Sequence, residues 1–396
     1  MRELKVLNGG HLKLSWSERK AFFEEELGEQ VRSEVKRMLE EALEAERTDW
    51  LGVGRYVRDG ETRRDYRNGY YHRDLGTRLG RLGRVRVPRA RKGCRSQILS
   101  RYGRRQESVN GLVQEAFLRG ISTRQVGEVL EPILGEAYSA QTVSRITRGL
   151  DAAVERFHRR RLEDHYVYLF LDGIVLKVRD SAGQVRRRVI LVAYGITRAG
   201  RRELIAYRLA EGESETAWSA FLQDLFLRGL EGRCLKLVTT DGSPGLRAAL
   251  GLVYPQPGLQ LCWAHKLRNI GDKVPKKEGS CVKEAGAIYG AGSRQEAVKA
   301  FRDWAQRWRK NRPRAVASIE NHLEELLNFF ALPKTHWVKV RTTNVIERAF
   351  REVRRRTRPM SSFTNPASCD RIVFGVISHL NRSWEKKPLK QFTHNA

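Results

Sequence analysis

The chain has 396 residues, 40% of them hydrophobic, and carries a formal net charge of +29 from 75 Lys and Arg against 46 Asp and Glu. That length accommodates two or three domains with proper cores and excludes a disordered tail; the charge excess, spread through segments that read as folded, selects a polyanion, nucleic acid before a membrane surface. No apolar run approaches the roughly 18 residues of a membrane span, and MRELKVLNGGHLKLSW lacks the core of a signal peptide, so the protein is expected in the cytoplasm with no membrane partner. Five scattered cysteines, Cys94, Cys234, Cys262, Cys281 and Cys369, make no disulfide framework.

Along the chain, Ser17 to Arg47 is acidic, and Leu27, Val31, Val35, Met38, Leu39 and Ala42 recur at helical spacing, which predicts an amphipathic helix packed on its own domain or on another subunit. From Arg55 to Arg105 there are 17 Arg or Lys against 4 Asp or Glu, a density suited to DNA phosphates. Within it GRVRVPRARKG reads as a short basic strand ending at Pro88, with Arg84, Arg86 and Arg89 as candidate DNA contacts. GISTRQVGEVLEPILGEAYSAQTVSRI reads as a helix-turn-helix: Ser122 caps a helix carrying Val126, Val129 and Leu130, Gly135 ends it, and Ser139 caps a second helix carrying Val143 and Ile146. Gln141, Thr142 and Arg145 are its candidate contacts.

From Tyr166 the character changes. HYVYLFLDGIVLKVRD, VRRRVILVAYGIT and RRELIAYRLAEGES read as three strands of a meander. SETAWSAFLQDLFLRGL follows as a capped helix and LKLVTTDGSPGL as a buried strand, so the helix crosses over to make a parallel pair in a mixed sheet. Asp172 falls inside a strand that should be central, and Asp241 at the carboxyl end of another, where open α/β sheets build their sites. Two such carboxylates on neighbouring strands raise each other's pKa unless a cation neutralises them. Between Asp241 and Glu347, Phe301, Trp304, Ala305 and Trp308, then Ile319, Leu323, Leu326, Leu327 and Phe330 recur at helical spacing around Pro313, which predicts an all-helical insertion. Cys262 and His265 have zinc-like spacing but no second pair follows. Glu347 heads a run of arginines and either pairs with Arg351 one turn on or holds a cation.

VPRAR, GISTRQV, TVSRIT, LDGIVLKVR, RGLEG, DGSPGL, QLCWAHKLRNIGDKVPKK and TTNVIERAFREVRRRTRPM occur in that order. The chain thereby resembles the Mutator-type transposases of bacterial insertion sequences. The resemblance implies an α/β, ribonuclease-H-like mixed-sheet core with an all-helical insertion, preceded by N-terminal helical and basic DNA-binding segments. The expected boundaries are a helical segment at 1–54, a basic DNA-contacting segment at 55–105, a helix-turn-helix domain at 106–160, core at 161–271, insertion at 272–335, core again at 336–384 and a tail at 385–396. It implies that Asp172, Asp241 and Glu347 are the catalytic acids holding Mg2+, with Mn2+ as substitute, that His265 approaches the scissile phosphate while Cys262 packs the strand end, and that Arg268 and Asn269 hold DNA or the loop. On the helix of Glu347, Arg351, Arg354 and Arg355 share its face and are expected on phosphates, Glu352 is the poorer ligand, and Arg356 points to the opposite side. The implied partners are double-stranded DNA, both terminal inverted repeats and target, and a second copy of the chain, at least a dimer on DNA; the implied location is the bacterial nucleoid. A basic DNA-binding protein that cuts nothing, and a nuclease without strand transfer, are the alternatives.

Overall fold

A computed structural model describes residues 16–58, 60–99, 103–135, 137–358 and 362–393. The chain divides into two compact units, Met1–Phe117 with Thr123–Thr147, and Leu118–Ser122 with Arg148–Ala396. The stretch inspected for a signal segment lies almost wholly outside the described residues. Among the described residues no helix is long and apolar enough to cross a membrane, and all five cysteines are free.

The first unit is built on α1 (Trp16–Leu51) and an antiparallel hairpin of β1 (Arg67–Thr77) and β2 (Gly80–Ala90). In β2, Leu82, Val85, Val87 and Ala90 are buried while Arg81, Arg84, Arg86 and Arg89 are exposed. The register shifts between Arg73 and Leu75, opposite an extra β2 residue at Arg84, whose φ of 50° and backbone N–H, bonded to Asp74 at 2.7 Å, mark a bulge. The strand does not end at Pro88, as its sequence suggested. Proline is tolerated there because both strands of a two-stranded ribbon are edges. The apolar side of the hairpin packs on Leu43, Val35 and Leu39 of α1, so the segments expected at 1–54 and 55–105 share one core. Leu27, Val31, Met38 and Ala42, also read as one apolar side, are exposed. A 36-residue helix is about 54 Å long and overhangs strands of about 37 Å, which leaves roughly its first third, about as far as Leu27, beyond the hairpin, while Met38 and Ala42 lie off the arc of Val35, Leu39 and Leu43.

After α2 (Glu107–Leu118), α3 (Thr123–Leu134) and α4 (Ala140–Thr147) form the expected helix pair. Val126, Leu130, Val143 and Ile146 are buried; Val129 lies off that arc and is exposed. Ser139 Oγ accepts from the Thr142 backbone N–H at 3.2 Å, capping α4. A Cβ on Gly127 would come within 2.0 Å of the Tyr138 carbonyl oxygen, so only glycine lets the connection fold back this tightly.

The second unit is α/β. Following α5 (Asp151–Arg159), strands β3 (Tyr166–Arg179), β4 (Val185–Thr197) and β5 (Arg202–Ala210) form the meander; α6 (Glu215–Leu227) leads to β6 (Leu237–Thr240), and α7 (Pro244–Val253) to β7 (Gly258–Leu261). The mixed sheet has the order β5-β4-β3-β6-β7, with β6 parallel to both β3 and β7. Ser214 Oγ caps α6 by accepting from the Ala217 N–H. Alternation assigns the two sides of the sheet: Leu169, Leu171 and Leu191 meet Trp218, Phe221 and Leu246 of α6 and α7, whereas Ile174, Ile190 and Val192 meet Phe350, Val353 and Val376 of α14 (Asn344–Thr357) and α15 (Pro366–Glu385). Between β7 and α14 in the chain come α8 (Trp263–Gly271), the helices α9 (Gly279–Gly290), α10 (Arg294–Trp308), α11 (Pro313–Glu320) and α12 (Leu323–Leu327), and α13 (Trp337–Val340); α16 (Lys390–Thr393) ends the described chain. Phe301, Trp304 and Ala305 are buried and Trp304 Nε1 donates to the Cys281 carbonyl at 2.9 Å, so this tryptophan is core.

Candidate active site

Three strands deliver the site. β3 pairs Phe170 with Thr239, and β6 pairs Thr240 with Leu261. Carrying both registers to the carboxyl ends of β6 and β7 places Asp172, Asp241 and Cys262 in one row. Asp172 lies in the long central strand and is 7% exposed, its carboxylate accepting from the Gly173 N–H at 2.8 Å. Asp241 stands at the strand end because Gly242, at φ 87°, turns the chain sharply, and its Oδ1 accepts from the Ser243 N–H at 3.0 Å.

The third acid comes from far along the chain and is fixed by main-chain contacts. Thr239 Oγ1 donates to the Val340 carbonyl at 2.7 Å, and the Trp263 N–H to the Arg341 carbonyl at 3.1 Å. Thr343, wholly buried at the N-cap of α14, spends its hydroxyl on the sheet: its N–H and Oγ1 reach Cys262 Sγ at 3.2 and 3.4 Å, and Oγ1 lies 3.4 Å from His265 Nδ1. Glu347 follows one turn later, half-buried, 3.4 Å from the Arg268 guanidinium; its partner is therefore Arg268 and not Arg351. Asn269 is exposed beside it. Arg351, Arg354 and Arg355 are exposed, with Arg355 drawn to Glu352 at 3.1 Å. Arg356 is buried, donating to the Leu118 carbonyl at 3.1 Å and to Glu352 at 2.6 Å. Glu352, about 140° round α14 from Glu347, thus serves two arginines, and these contacts, the bond to Arg356 foremost, hold its carboxyl below the usual range.

The charges in the row act on one another. Burial pushes the Asp172 carboxyl up to about 6, with the Asp241 charge adding to it while His265 and the Thr343 hydroxyl oppose. His265 is raised to about 9, first by its hydrogen bond with Cys262, then by the charges of Cys262 and Asp172, against burial. Burial disfavours a Cys262 thiolate, but the bonds to His265 and Thr343 outweigh it and lower the thiol. An imidazolium beside a buried carboxylate is the expected state near neutral pH.

Two residues escaped the sequence reading. Thr343 was not singled out in the stretch TTNVIERAF. Glu213 sits in the turn before α6, half-buried, its carboxyl raised by burial and then by the Asp241 charge. It reaches the acids because Gly173 lacks a side chain: a Cβ there would stand 3.0 Å from Val189 Cγ1 and closer still to the Glu213 carboxylate. Glycine inside a strand marks a close approach of this kind, and Gly173, next to Asp172, was the available signal. Gly173→Ala is accordingly expected to displace Glu213 and lower activity at least tenfold while costing about 1–3 kcal/mol of stability, measured by a DNA-joining assay beside urea melts; unchanged activity would detach Glu213 from the site.

A family model described as Transposase, Mutator family, matches residues 11–387. The chain belongs to the Mutator family of transposases. It is 37% identical over 356 residues to the transposase for insertion sequence element ISRM5 of Rhizobium meliloti, covering 89% of this chain and 88% of that one. It is 35% identical to the transposase for IS406 of Burkholderia multivorans, over 88% and 89% of the two chains, and 32% identical to the transposase for IS256 in transposon Tn4001 of Staphylococcus aureus, over 86% and 87%. In this Mutator-family chain the other candidate residues lie in the first unit: Arg84, Arg86, Arg89, Gln141 and Arg145 are exposed and Thr142 is half-buried. Arg86 and Arg89 stack over Tyr70 and Tyr71 at 4.9 Å each.

The donor set suits a divalent cation in part. Asp172 and Asp241 are two carboxylates at one level of the sheet whose mutual cost a cation would relieve. Glu347 is turned to Arg268, and among the described residues no three His, Cys, Asp or Glu side chains are gathered closely enough to hold a metal.

Proposed function

We propose that this chain is a DNA transposase that binds the terminal inverted repeats of a bacterial insertion sequence and catalyses metal-dependent 3′-end cleavage and strand transfer into target DNA, on a ribonuclease-H-like core. The observation that carries the reading is the alignment of Asp172 and Asp241 at the carboxyl end of a sheet ordered β5-β4-β3-β6-β7, with Glu347 brought to its edge. Asp172 and Asp241 would hold the cation, and Glu347 would join them on releasing Arg268. When bound, Mg2+, or Mn2+ in its place, supplies the positive charge that favours an attacking water or 3′-hydroxyl and a leaving 3′-oxygen. His265, protonated beside Asp172, offers a hydrogen bond to a phosphate oxygen, and Arg351 and Arg354 offer exposed guanidinium groups to the same strand. Arg268, Asn269 and Arg355 border this surface. In the first unit, the basic side of the hairpin and the start of α4 are the surfaces for the inverted repeats. Two ends must be brought to one target, so the working form is at least a dimer on DNA, acting in the bacterial cytoplasm at the nucleoid.

The test is to incubate the protein with pre-cleaved element ends, a supercoiled target and Mg2+, and to sequence the junctions. Joined ends are the expected result; cleavage without joining would leave a nuclease, and binding without either a DNA-binding protein only.

A further inference from the structure

On the flank of α14 beside Glu347 runs an open groove of about 570 Å³ whose walls include Arg202, Lys339, Asn344, Arg348, Arg351 and Trp384. Its charge is uncompensated. Some arginines of this unit are paired, as Arg371 is with Asp151 and Arg312 with Glu278, whereas among the described residues the side chains of Lys339, Arg348 and Arg351, gathered on one wall, have no hydrogen-bond or ion-pair partner. The groove's one acid, Glu352, already serves Arg355 and Arg356. Arg202 is held in place over the Trp384 ring, 5.0 Å from its centroid. Cations spread over a convex surface are dispersed by water; four of them lining a concave wall repel one another and focus an attractive potential for a polyanion.

Position names the occupant. Asn344 and Arg348 lie three residues before and one after Glu347 on the same helix, so the groove opens within a turn of the third acid. We propose that this groove holds the phosphodiester backbone of the DNA adjoining the reacting phosphate, through Arg202, Lys339 and Arg348, without reading bases. The proposal rests on the transposase reading for the position of the reacting phosphate. It adds a strand track that neither the acid row nor the first unit provides.

Counterion release supplies the test. Each phosphate contact contributes about 0.9 to the slope of log affinity against log salt on duplex DNA. The affinity of the full chain is measured by anisotropy between low and moderate salt, on a duplex carrying the element end and on a random duplex of equal length. The variants are Lys339→Gln with Arg348→Gln, and the triple with Arg202→Gln. The expected slope falls by roughly 2 for the double variant and roughly 3 for the triple, equally on both duplexes. Arg348 is exposed and Lys339 half-buried without partners, so the double variant is expected to melt with the wild type and serves as the folding control for the triple. An unchanged slope overturns the proposal, as does a loss confined to the element end, which would signify base reading. If the wild type joins ends and the slope is unchanged, the groove assignment fails alone; if the slope falls and the wild type joins nothing, the groove stands and the transposase reading fails.

Discussion

Asp172→Asn, Asp241→Asn and Glu347→Gln are each expected to reduce strand joining by roughly a thousandfold or more while leaving end binding within about a factor of two, because the surfaces of the first unit proposed to bind DNA are untouched. Asp172→Asn carries a second signature. Burial raises its carboxyl to about 6 in the folded chain, from 3.8. The folded chain therefore holds this proton more tightly than the unfolded one. Below about pH 4 the acid is protonated in both states and costs nothing, and the penalty of ionising it grows between about 4 and 6 and is constant above, at about 3 kcal/mol. Asparagine removes that penalty and keeps the acceptor for the Gly173 N–H. In metal-free buffer the variant should melt at or above the wild-type temperature at pH 7 and lose this advantage by pH 4. A variant inactive but destabilised at pH 7 would mean that Asp172 is a structural residue.

Arg356→Ala is expected to do the opposite, lowering stability by about 2–4 kcal/mol, since it removes a buried guanidinium and leaves the Leu118 carbonyl without its donor. Gly120, at φ 95°, lies so close that a Cβ there would meet Arg356 Cγ at 2.8 Å, evidence that the chain is built around this side chain. Arg351→Ala, exposed and unpaired, should leave melting unchanged and lower joining. Urea melts and joining assays on the two variants, compared at a temperature where both are folded, separate the effects. If Arg351→Ala lost stability and Arg356→Ala did not, the orientation of α14 would be wrong.

Much of this was legible in sequence because local chemistry agreed with tertiary need. The meander, the Ser214 cap and the Asp241 turn all follow from apolar runs interrupted by glycine and serine. The geometry of α14 was also readable: a step of nine residues from Glu347 does place Arg356 on the opposite side. What that spacing could not give was burial, which turned a distant arginine into a structural one. Overhang was equally invisible, since Leu27 continues the apolar period of Val35 and Leu39 but has no hairpin beneath it. Pro88 misled because strand termination by proline is a rule for central strands. Glu213 and the Arg268 partnership of Glu347 depend on contacts across 40 to 79 residues, for which the sequence offered one glycine as a hint.

Thr343 has a consequence for how the protein is made. Its single hydroxyl fastens α14 to Cys262, 81 residues earlier, and lies within the electrostatic reach of Asp172 on β3. Domains form from the N-terminus as the ribosome delivers them, so the hairpin and helix pair are complete long before the hydroxyl that seats Glu347 is translated. A chain stopped anywhere in between would already own the surfaces proposed to bind DNA and would lack the last of the acids proposed to act on it. On that reading, a synthesis interrupted between the two yields a competitor for the finished protein.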